Sequence, residues 1–319
     1  MTFDPDVQII LDMIRLAGRP PFEALTPDEA RQAYIASRAV LGPEPQPVAV
    51  SRELSCPGPH GAIRLRLYRP AGAEAGQVLP AMVYYHGGGW LLGSLDSHDA
   101  VCRHFANAAH CAVVSVDYRM APEHKFPAAV DDCAAATRWV IEQAGALEID
   151  PAYVAVGGDS AGGNLAAVMA LMARDGTLPP LAFQLLVYPA TDMAMTTVSS
   201  QTITQTVPLT STTMKWFIDH YMRGPADVID WRASPARAAD LSGIAPALVL
   251  TCSCDPLRDE GVEYARRLER EGVRVTHLHF SDQIHGFMSM GRIVRAAGMA
   301  IDMMAAVLGK ALRPPPRPV

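Results

Sequence analysis

Short apolar runs that alternate with helical segments are the feature of this sequence that most restricts its fold. Segments of helical periodicity such as 131–143 and 261–271 separate these runs. Strands with continuous apolar residues are typical of a parallel sheet that helices cover on both faces. The pattern therefore predicts an α/β fold with a mostly parallel sheet. The runs occupy residues 81–85, 111–117, 154–156, 183–188, 247–251 and 273–280.

The segments outside this alternation predict a hairpin, an N-terminal helical region and an insertion. Ile63, Leu65 and Leu67 alternate with polar residues after a turn-like segment at 57–61, which predicts an antiparallel hairpin and a mixed sheet. Residues 1–45 predict two helices, the second of which begins after the capping residue Thr26. The insertion at 191–230 contains a predicted helix at 214–222 and is expected to cap the carboxyl edge of the sheet.

Charge and cysteine content exclude some classes of function. The 319 residues include 33 acidic and 27 basic ones, a net charge of −6, which argues against nucleic acid or an anionic membrane as partner. No apolar stretch approaches the ~18 residues that a membrane span needs. The N-terminus lacks the pattern of a signal peptide, and six cysteines without that signal predict free thiols. We therefore expect a cytoplasmic protein.

Ser160 is the candidate nucleophile. It is the middle residue of the sequence Gly-Asp-Ser-Ala-Gly at 158–162, between the run 154–156 and an apolar helical segment. This arrangement predicts a sharp strand-to-helix turn that exposes the serine hydroxyl. Gly158 and Gly162 are expected because a Cβ at either position would clash where strand and helix cross. The alternative is a glycine-rich turn that only caps a helix. The motif alone does not distinguish the two, so other motifs of the sequence must.

A second glycine-rich loop, His86-Gly-Gly-Gly-Trp90, directly follows the run 81–85. Consecutive glycines allow backbone N–H groups to converge on one point, and such donors stabilise an oxyanion together with the N–H of the residue after the nucleophile, Ala161. A phosphate-binding loop is the alternative, but the G-x-G-x-x-G pattern is absent. His86 is expected to fix the loop by hydrogen bonding.

Asp255 and His285 are the candidate acid and base, because each follows the end of a predicted strand. The order Ser160, Asp255, His285 is that of the α/β-hydrolases. His277 and His279 also compete for the role of base, but they alternate along a strand and are expected to lie on one face of the sheet. Asp259 and Glu260 follow about one turn after Asp255 and are expected to cap the next helix or to be solvated.

Together these motifs resemble the bacterial hormone-sensitive-lipase-like esterases, a family of the α/β-hydrolase fold, in the subgroup with the motif Gly-Asp-Ser-Ala-Gly-Gly. The match covers roughly residues 80–310. The motifs that carry the resemblance lie at 86–90, 117–127, 158–163, 255–261 and 285–287.

The resemblance implies an eight-stranded, mostly parallel mixed sheet flanked by helices, with a helical cap. It implies a carboxylesterase that needs no cofactor, hydrolyses short- to medium-chain esters with water, and in many members forms dimers. The expected domains are a cap made from 1–45 and 191–230, and a catalytic domain made from 46–190 and 231–319.

Residue by residue, the resemblance implies that Ser160 is the nucleophile, His285 the base and Asp255 the residue that orients it. The N–H groups of Gly88, Gly89 and Ala161 are expected to form the oxyanion hole, with His86 and Gly87 supporting the loop. Position alone suggests residues for the acyl pocket. These are Trp90, Tyr188, Leu209, Phe217 and Ile284, with Met193 and Trp216 as further candidates.

Several alternatives remain open. An amidase or a true lipase would use the same apparatus. A binding module is the second alternative, because plant gibberellin receptors resemble this family but lack the catalytic histidine. The presence of His285 argues against this alternative. A metal site formed by two cysteines and two histidines lacks the C-x₂₋₄-C spacing, so no metal is predicted. Its residues would be Cys252, Cys254, His277 and His279.

Overall fold

The computed structural model describes residues 2–205 and 208–313, in which eight strands form one sheet. The strands are β1 (Val50–Gly58), β2 (Gly61–Arg69), β3 (Leu79–Tyr85), β4 (Ala112–Asp117), β5 (Ile149–Asp159), β6 (Phe183–Val187), β7 (Ala247–Cys254) and β8 (Val275–Ile284). Their order across the sheet is β1-β2-β4-β3-β5-β6-β7-β8.

The sheet is mixed because β2 runs antiparallel to both of its neighbours, β1 and β4. All other neighbouring strands are parallel. Gly58 pairs with Gly61 at the tight end of the β1–β2 hairpin, at the turn that the sequence predicts. The expected fold class, an eight-stranded and mostly parallel mixed sheet, is confirmed.

Helices cover both faces of the sheet, as the continuous apolar runs predict. One hydrophobic core includes residues of α4, α6 and α10, and the other includes residues of α3 and α11. The helices are α1 (Pro5–Ala17), α2 (Pro27–Leu41), α3 (Asp99–Ala109), α4 (Ala128–Glu142), α5 (Ala144–Leu147), α6 (Ala161–Arg174), α7 (Val198–Thr202), α8 (Ser211–Tyr221), α9 (Pro225–Val228), α10 (Arg258–Arg270) and α11 (Arg295–Ala311). Short 3₁₀ helices occupy Phe22–Ala24, Pro235–Arg237 and Phe287–Ser289.

The N-terminal helices begin where their capping residues place them. The Asp4 side chain accepts a hydrogen bond from the Asp6 N–H at 2.7 Å and caps α1. Thr26 and Glu29 form a reciprocal capping box at the start of α2, which satisfies backbone N–H groups that a helix leaves free. The predicted pair of N-terminal helices is confirmed. Among the described residues, no helix is long and apolar enough to cross a bilayer.

Candidate active site

Ser160 occupies a strained turn between β5 and α6. Its φ of 57° and ψ of −116° lie in a region that residues with a side chain rarely adopt. The Ser160 N–H donates to the Val187 carbonyl at 2.8 Å, and its carbonyl accepts from the Asn164 N–H at 3.0 Å. These bonds to β6 and α6 hold the backbone of the turn.

Two glycines allow this turn to pack against β3. A Cβ on Gly162 or on Gly158 would overlap the carbonyl oxygen of Tyr85. Strand and helix therefore cross too closely for any side chain, as the sequence predicts for both glycines.

His285 connects Ser160 to Asp255 through two hydrogen bonds. His285 Nε2 lies 2.8 Å from Ser160 Oγ, and His285 Nδ1 lies 2.7 Å from Asp255 Oδ2. Asp255 is fully buried, and its other oxygen accepts from the Leu257 N–H at 2.8 Å. The carboxylate is thus held in place while it orients the imidazole. The structure thus brings together the three residues that the sequence predicts as nucleophile, base and acid.

The competing histidines have other partners. His277 Nε2 and His279 Nδ1 each lie 2.8 Å from Thr251 Oγ1, and His279 Nε2 lies 2.9 Å from Ser253 Oγ. Both belong to β8, as their alternation along the sequence predicts.

The cysteines near the candidate acid are buried thiols. All six cysteines of the chain are buried and unpaired. Cys252 Sγ lies 3.5 Å from Asp255 Oδ2 and donates a weak third hydrogen bond to this carboxylate. Within residues 2–205 and 208–313 no cluster of three or more histidine, cysteine, aspartate or glutamate side chains could hold a metal ion.

The glycine loop after β3 has free backbone donors. Gly88 and Gly89 have φ values of 125° and 61°, and a Cβ on them would overlap Leu92 and the Phe217 ring, respectively. No acceptor for either N–H is present among the described residues. Ala161 is the first residue of α6, so its N–H also has no partner within the helix.

His86 supports this loop from behind. His86 Nδ1 lies 3.0 Å from the Gly87 carbonyl oxygen, and the ring stacks on Tyr118 with centroids 4.4 Å apart. Burial lowers the pKa of His86 to about 4, so this imidazole is neutral near pH 7. These contacts agree with a loop-fixing role.

Asp159 is a buried residue for which the sequence pattern predicts no role of its own. Its Oδ1 accepts from the Tyr84 hydroxyl at 2.6 Å and from the Gly87 N–H at 3.0 Å, and it lies 3.3 Å from His98 Nε2. Burial alone raises the pKa of Asp159, but His98 and these donors outweigh it and lower the pKa to about 2. One carboxylate therefore ties the residue before Ser160 to the glycine loop. Its place inside the motif at 158–162 was the available signal.

Glu260 corrects an expectation from the sequence. It is only 4% exposed, so it is neither solvated nor at a surface cap. Its Oε1 accepts from the N–H groups of Thr191 and Asp192, at 2.6 and 3.3 Å. Burial raises the pKa of Glu260 to about 8. The preceding residue, Asp259, accepts from the Ser199 N–H at 2.7 Å. Both carboxyl groups bind the segment that follows β6.

A cavity of about 670 Å³ opens over the serine. Its lining includes Ser160, His285, Gly88 and Gly89. Residues of α1, α2 and α8 lie in the same lining, including Ile10, Tyr34 and Met214. Most lining residues are apolar, so the cavity can take the hydrocarbon part of a substrate.

The expected pocket residues divide into two groups. Trp90, Leu209 and Phe217 line the cavity. Tyr188 and Ile284 are not among the described lining residues, so their prediction as pocket residues was wrong. The Tyr188 ring packs against His285 with centroids 4.6 Å apart, and Ile284 is fully buried in the core at the end of β8. The two further candidates for the acyl pocket, Met193 and Trp216, are also not among the described lining residues.

Comparison with known proteins gives one consistent answer. A family profile described as "alpha/beta hydrolase fold" matches residues 82–289. An ethyl acetate hydrolase of Pseudomonas putida is 40% identical over 315 residues, which cover 97% of this chain and 99% of that protein. The carboxylesterase NlhH of Mycobacterium tuberculosis is 46% identical over 255 residues, 78% of this chain and 79% of that protein.

Solved structures agree with these relatives. An ester-hydrolase from the metagenome of Lake Arreo, complexed with a derivative of bipyridine phosphonate, superimposes with a TM-score of 0.93. It is 41% identical, and the match covers 97% of this chain and 99% of that one.

Proposed function

Because the chain belongs to the hormone-sensitive-lipase-like esterases of the alpha/beta hydrolase fold, we propose that it hydrolyses short- to medium-chain acyl esters with a Ser160–His285–Asp255 triad. Membership of this family identifies the chain as a carboxylesterase. The observation that carries the finer proposal is the continuous hydrogen-bond chain from Ser160 Oγ through His285 to Asp255.

In the first step, Ser160 Oγ attacks the ester carbonyl carbon while His285 Nε2 takes the hydroxyl proton. Asp255 keeps the imidazole in the tautomer with a free Nε2 and stabilises its charged form. The tetrahedral intermediate then collapses, and the bond to the alcohol oxygen breaks. His285 gives its proton to the leaving alcohol, which leaves an acyl group on Ser160.

In the second step, water attacks the acyl-enzyme by the same route. His285 removes a proton from the water molecule while the water oxygen bonds to the acyl carbon, which gives a second tetrahedral intermediate. Collapse of this intermediate releases the carboxylic acid and returns the proton to Ser160 Oγ.

The oxyanion of both intermediates is stabilised by the N–H groups of Gly88, Gly89 and Ala161. The support for this assignment is that the two glycine donors have no other acceptor among the described residues and share the cavity lining with Ser160. Loss of one such donor typically lowers the rate about 100- to 1000-fold. Asp159 acts through the loop as a positioning residue, because it binds the Gly87 N–H.

Residues 1–45 and 191–230 form a cap over the catalytic domain made by 46–190 and 231–319. The support is that α1, α2 and α8 all contribute to the cavity lining. A cap of this kind limits the length of acyl chain that reaches Ser160. The relative from Pseudomonas putida is named for ethyl acetate, whose acyl group has two carbons, and this also favours short chains.

A series of p-nitrophenyl esters with two to sixteen acyl carbons tests this proposal. We expect kcat/KM to peak at short to medium chains, because the cavity of about 670 Å³ is bounded by the cap. A peak at long chains would indicate a lipase. Faster cleavage of an amide than of its matching ester would indicate an amidase.

Labelling with an alkyl phosphonate ester identifies the nucleophile independently of substrate choice. A phosphonate mimics the tetrahedral intermediate and becomes attached to an activated serine. We expect one adduct per chain, on the peptide that contains Ser160, and loss of esterase activity in proportion to labelling. An adduct on another residue, with activity lost in step, would refute the assignment of Ser160.

A further inference from the structure

The cavity over Ser160 contains positive charge that the reaction described above does not use. Two arginines, Arg19 and Arg38, belong to its otherwise mostly apolar lining. Arg19 is exposed, whereas Arg38 is half-buried on α2. Arg38 is therefore the cation whose surroundings the fold controls.

Arg38 lies close to the loop that carries the catalytic histidine. Its Nη1 donates to the Ser289 carbonyl at 3.1 Å and also to the Ser289 hydroxyl. Ser289 Oγ in turn donates to the carbonyl of Gly286 at 2.9 Å, and Gly286 directly follows His285. The guanidinium also lies over the Tyr34 ring, 5.0 Å from its centroid. These contacts hold the guanidinium in one place in the cavity lining.

Among the residues that the structure describes, only neutral groups accept hydrogen bonds from Arg38. Within the described ranges, neither Arg38 nor Arg19 forms an ion pair with a carboxylate. Arg31, two turns earlier on the same helix, differs: it pairs with Glu123 at 2.6 Å and with Asp28 at 3.1 Å. A guanidinium has five N–H donors, so Arg38 keeps donors for a ligand.

The acidic groups of the same lining are already occupied. Asp159 is bonded to Tyr84 and Gly87. Glu29 accepts from Thr26 in the capping box and precedes Arg38 by nine residues, about 13 Å along a helix. Neither of these two acidic groups of the described lining therefore neutralises the charge of Arg38.

An arginine that is partly removed from water, without a counter-ion, attracts a carboxylate and can bind it through two parallel hydrogen bonds. We propose that Arg38 binds a carboxylate on the substrate, so that the enzyme favours esters with a negative charge on the arm far from the scissile bond. Monoesters of dicarboxylic acids belong to this class. The inference rests on the proposed esterase function and specifies its substrate.

Matched pairs of anionic and neutral esters test the inference. Monoethyl adipate and ethyl hexanoate differ by a carboxylate on the acyl arm, and 6-acetoxyhexanoate and hexyl acetate differ by one on the alcohol arm. For at least one pair, we expect Arg38→Gln to lower the anionic-to-neutral ratio of kcat/KM about 10-fold, the usual effect of one charge-assisted hydrogen bond. Arg38→Lys, which keeps the charge, should retain most of the preference.

The control is Arg15→Gln, which removes the same charge from an exposed position on α1 outside the described lining. Its ratio should equal that of the wild type. Equal losses on the anionic and the neutral ester in Arg38→Gln would mean that Arg38 only holds the Ser289 loop, and this result would overturn the inference. An unchanged ratio in both pairs would overturn it as well.

A binding measurement separates this inference from the proposed function. Calorimetry with the Ser160→Ala variant and monoethyl adipate reports binding without turnover. We expect binding that weakens about 10-fold when Arg38→Gln is added and that weakens with rising salt. Absence of hydrolysis of every ester in the two pairs by the wild type, anionic and neutral alike, would instead contradict the esterase function, whatever the binding result.

Discussion

Two buried carboxyl groups, Asp159 and Glu260, have opposite pKa shifts although both are almost completely removed from water. Asp159 faces His98 and the Tyr84 hydroxyl, which stabilise its charge against the effect of burial and lower its pKa to about 2. Within the described part of the chain, only backbone N–H groups donate to the Glu260 side chain, and burial raises its pKa to about 8. The partners of each group, rather than its burial, decide its charge at neutral pH.

The raised pKa of Glu260 predicts a pH-dependent stability. A group whose pKa is higher in the folded state stabilises the fold below its unfolded value, here 4.5, and this contribution is lost as the pH rises through about 8. We expect the free energy of unfolding of the wild type to fall between these values by roughly 1 kcal/mol per pH unit relative to Glu260→Gln. Urea unfolding across this range measures the difference.

The control for this experiment is Glu263→Gln on the same helix, α10. Glu263 forms an ion pair with Arg270, and both side chains are 59% exposed. Its pH profile should follow the wild type. A profile of Glu260→Gln that is parallel to the wild type would contradict the buried, protonated state of Glu260.

At the scale of elements, the turn from β5 into α6 depends on the absence of side chains at two glycines. Gly162→Ala would place a Cβ onto the Tyr85 carbonyl, so either β3 or α6 must move. We expect a loss of at least ~3 kcal/mol in unfolding free energy, in the range of severe overpacking, together with loss of esterase activity.

Gly145→Ala is the matched control, because a Cβ there meets nothing within 4 Å and the residue belongs to helix α5. This variant should be neutral or more stable by up to ~1 kcal/mol. Thermal or urea unfolding of both variants tests the pair. Similar stability of Gly162→Ala and Gly145→Ala would show that the crossing of strand and helix is looser than described.

The elements were predictable to the extent that their signals are local. The buried strands β3, β4, β6 and β7 appear in the sequence as continuous apolar runs, because both of their faces are covered. The start of β5 was harder to predict, because Asp150 and Pro151 follow Ile149 and interrupt the apolar run. The burial of Glu260 could not be predicted, because its partners at Thr191 and Asp192 lie far away in the chain.

At the scale of the whole molecule, the cavity joins parts that are distant in sequence. The N-terminal helices contact the C-terminal part through bonds such as Arg292 N–H to the Leu41 carbonyl and Asp4 N–H to the Asp282 carbonyl, both at 3.1 Å. The order of the candidate triad was readable from strand ends. The cavity lining was not, because its residues come from distant parts of the chain. For this reason the prediction for Tyr188 and Ile284 was wrong, and no sequence pattern marked Arg38 as a lining residue.

The most direct test of the central proposal compares hydrolysis of p-nitrophenyl butyrate by the wild type, Ser160→Ala and Ser55→Ala. Ser55 is an exposed serine on β1 and serves as the control. Removal of the nucleophile of such a triad typically costs on the order of 10⁶-fold in kcat. We expect a loss of at least ~1000-fold for Ser160→Ala and no change for Ser55→Ala. Activity of folded Ser160→Ala within tenfold of the wild type would contradict the proposed mechanism.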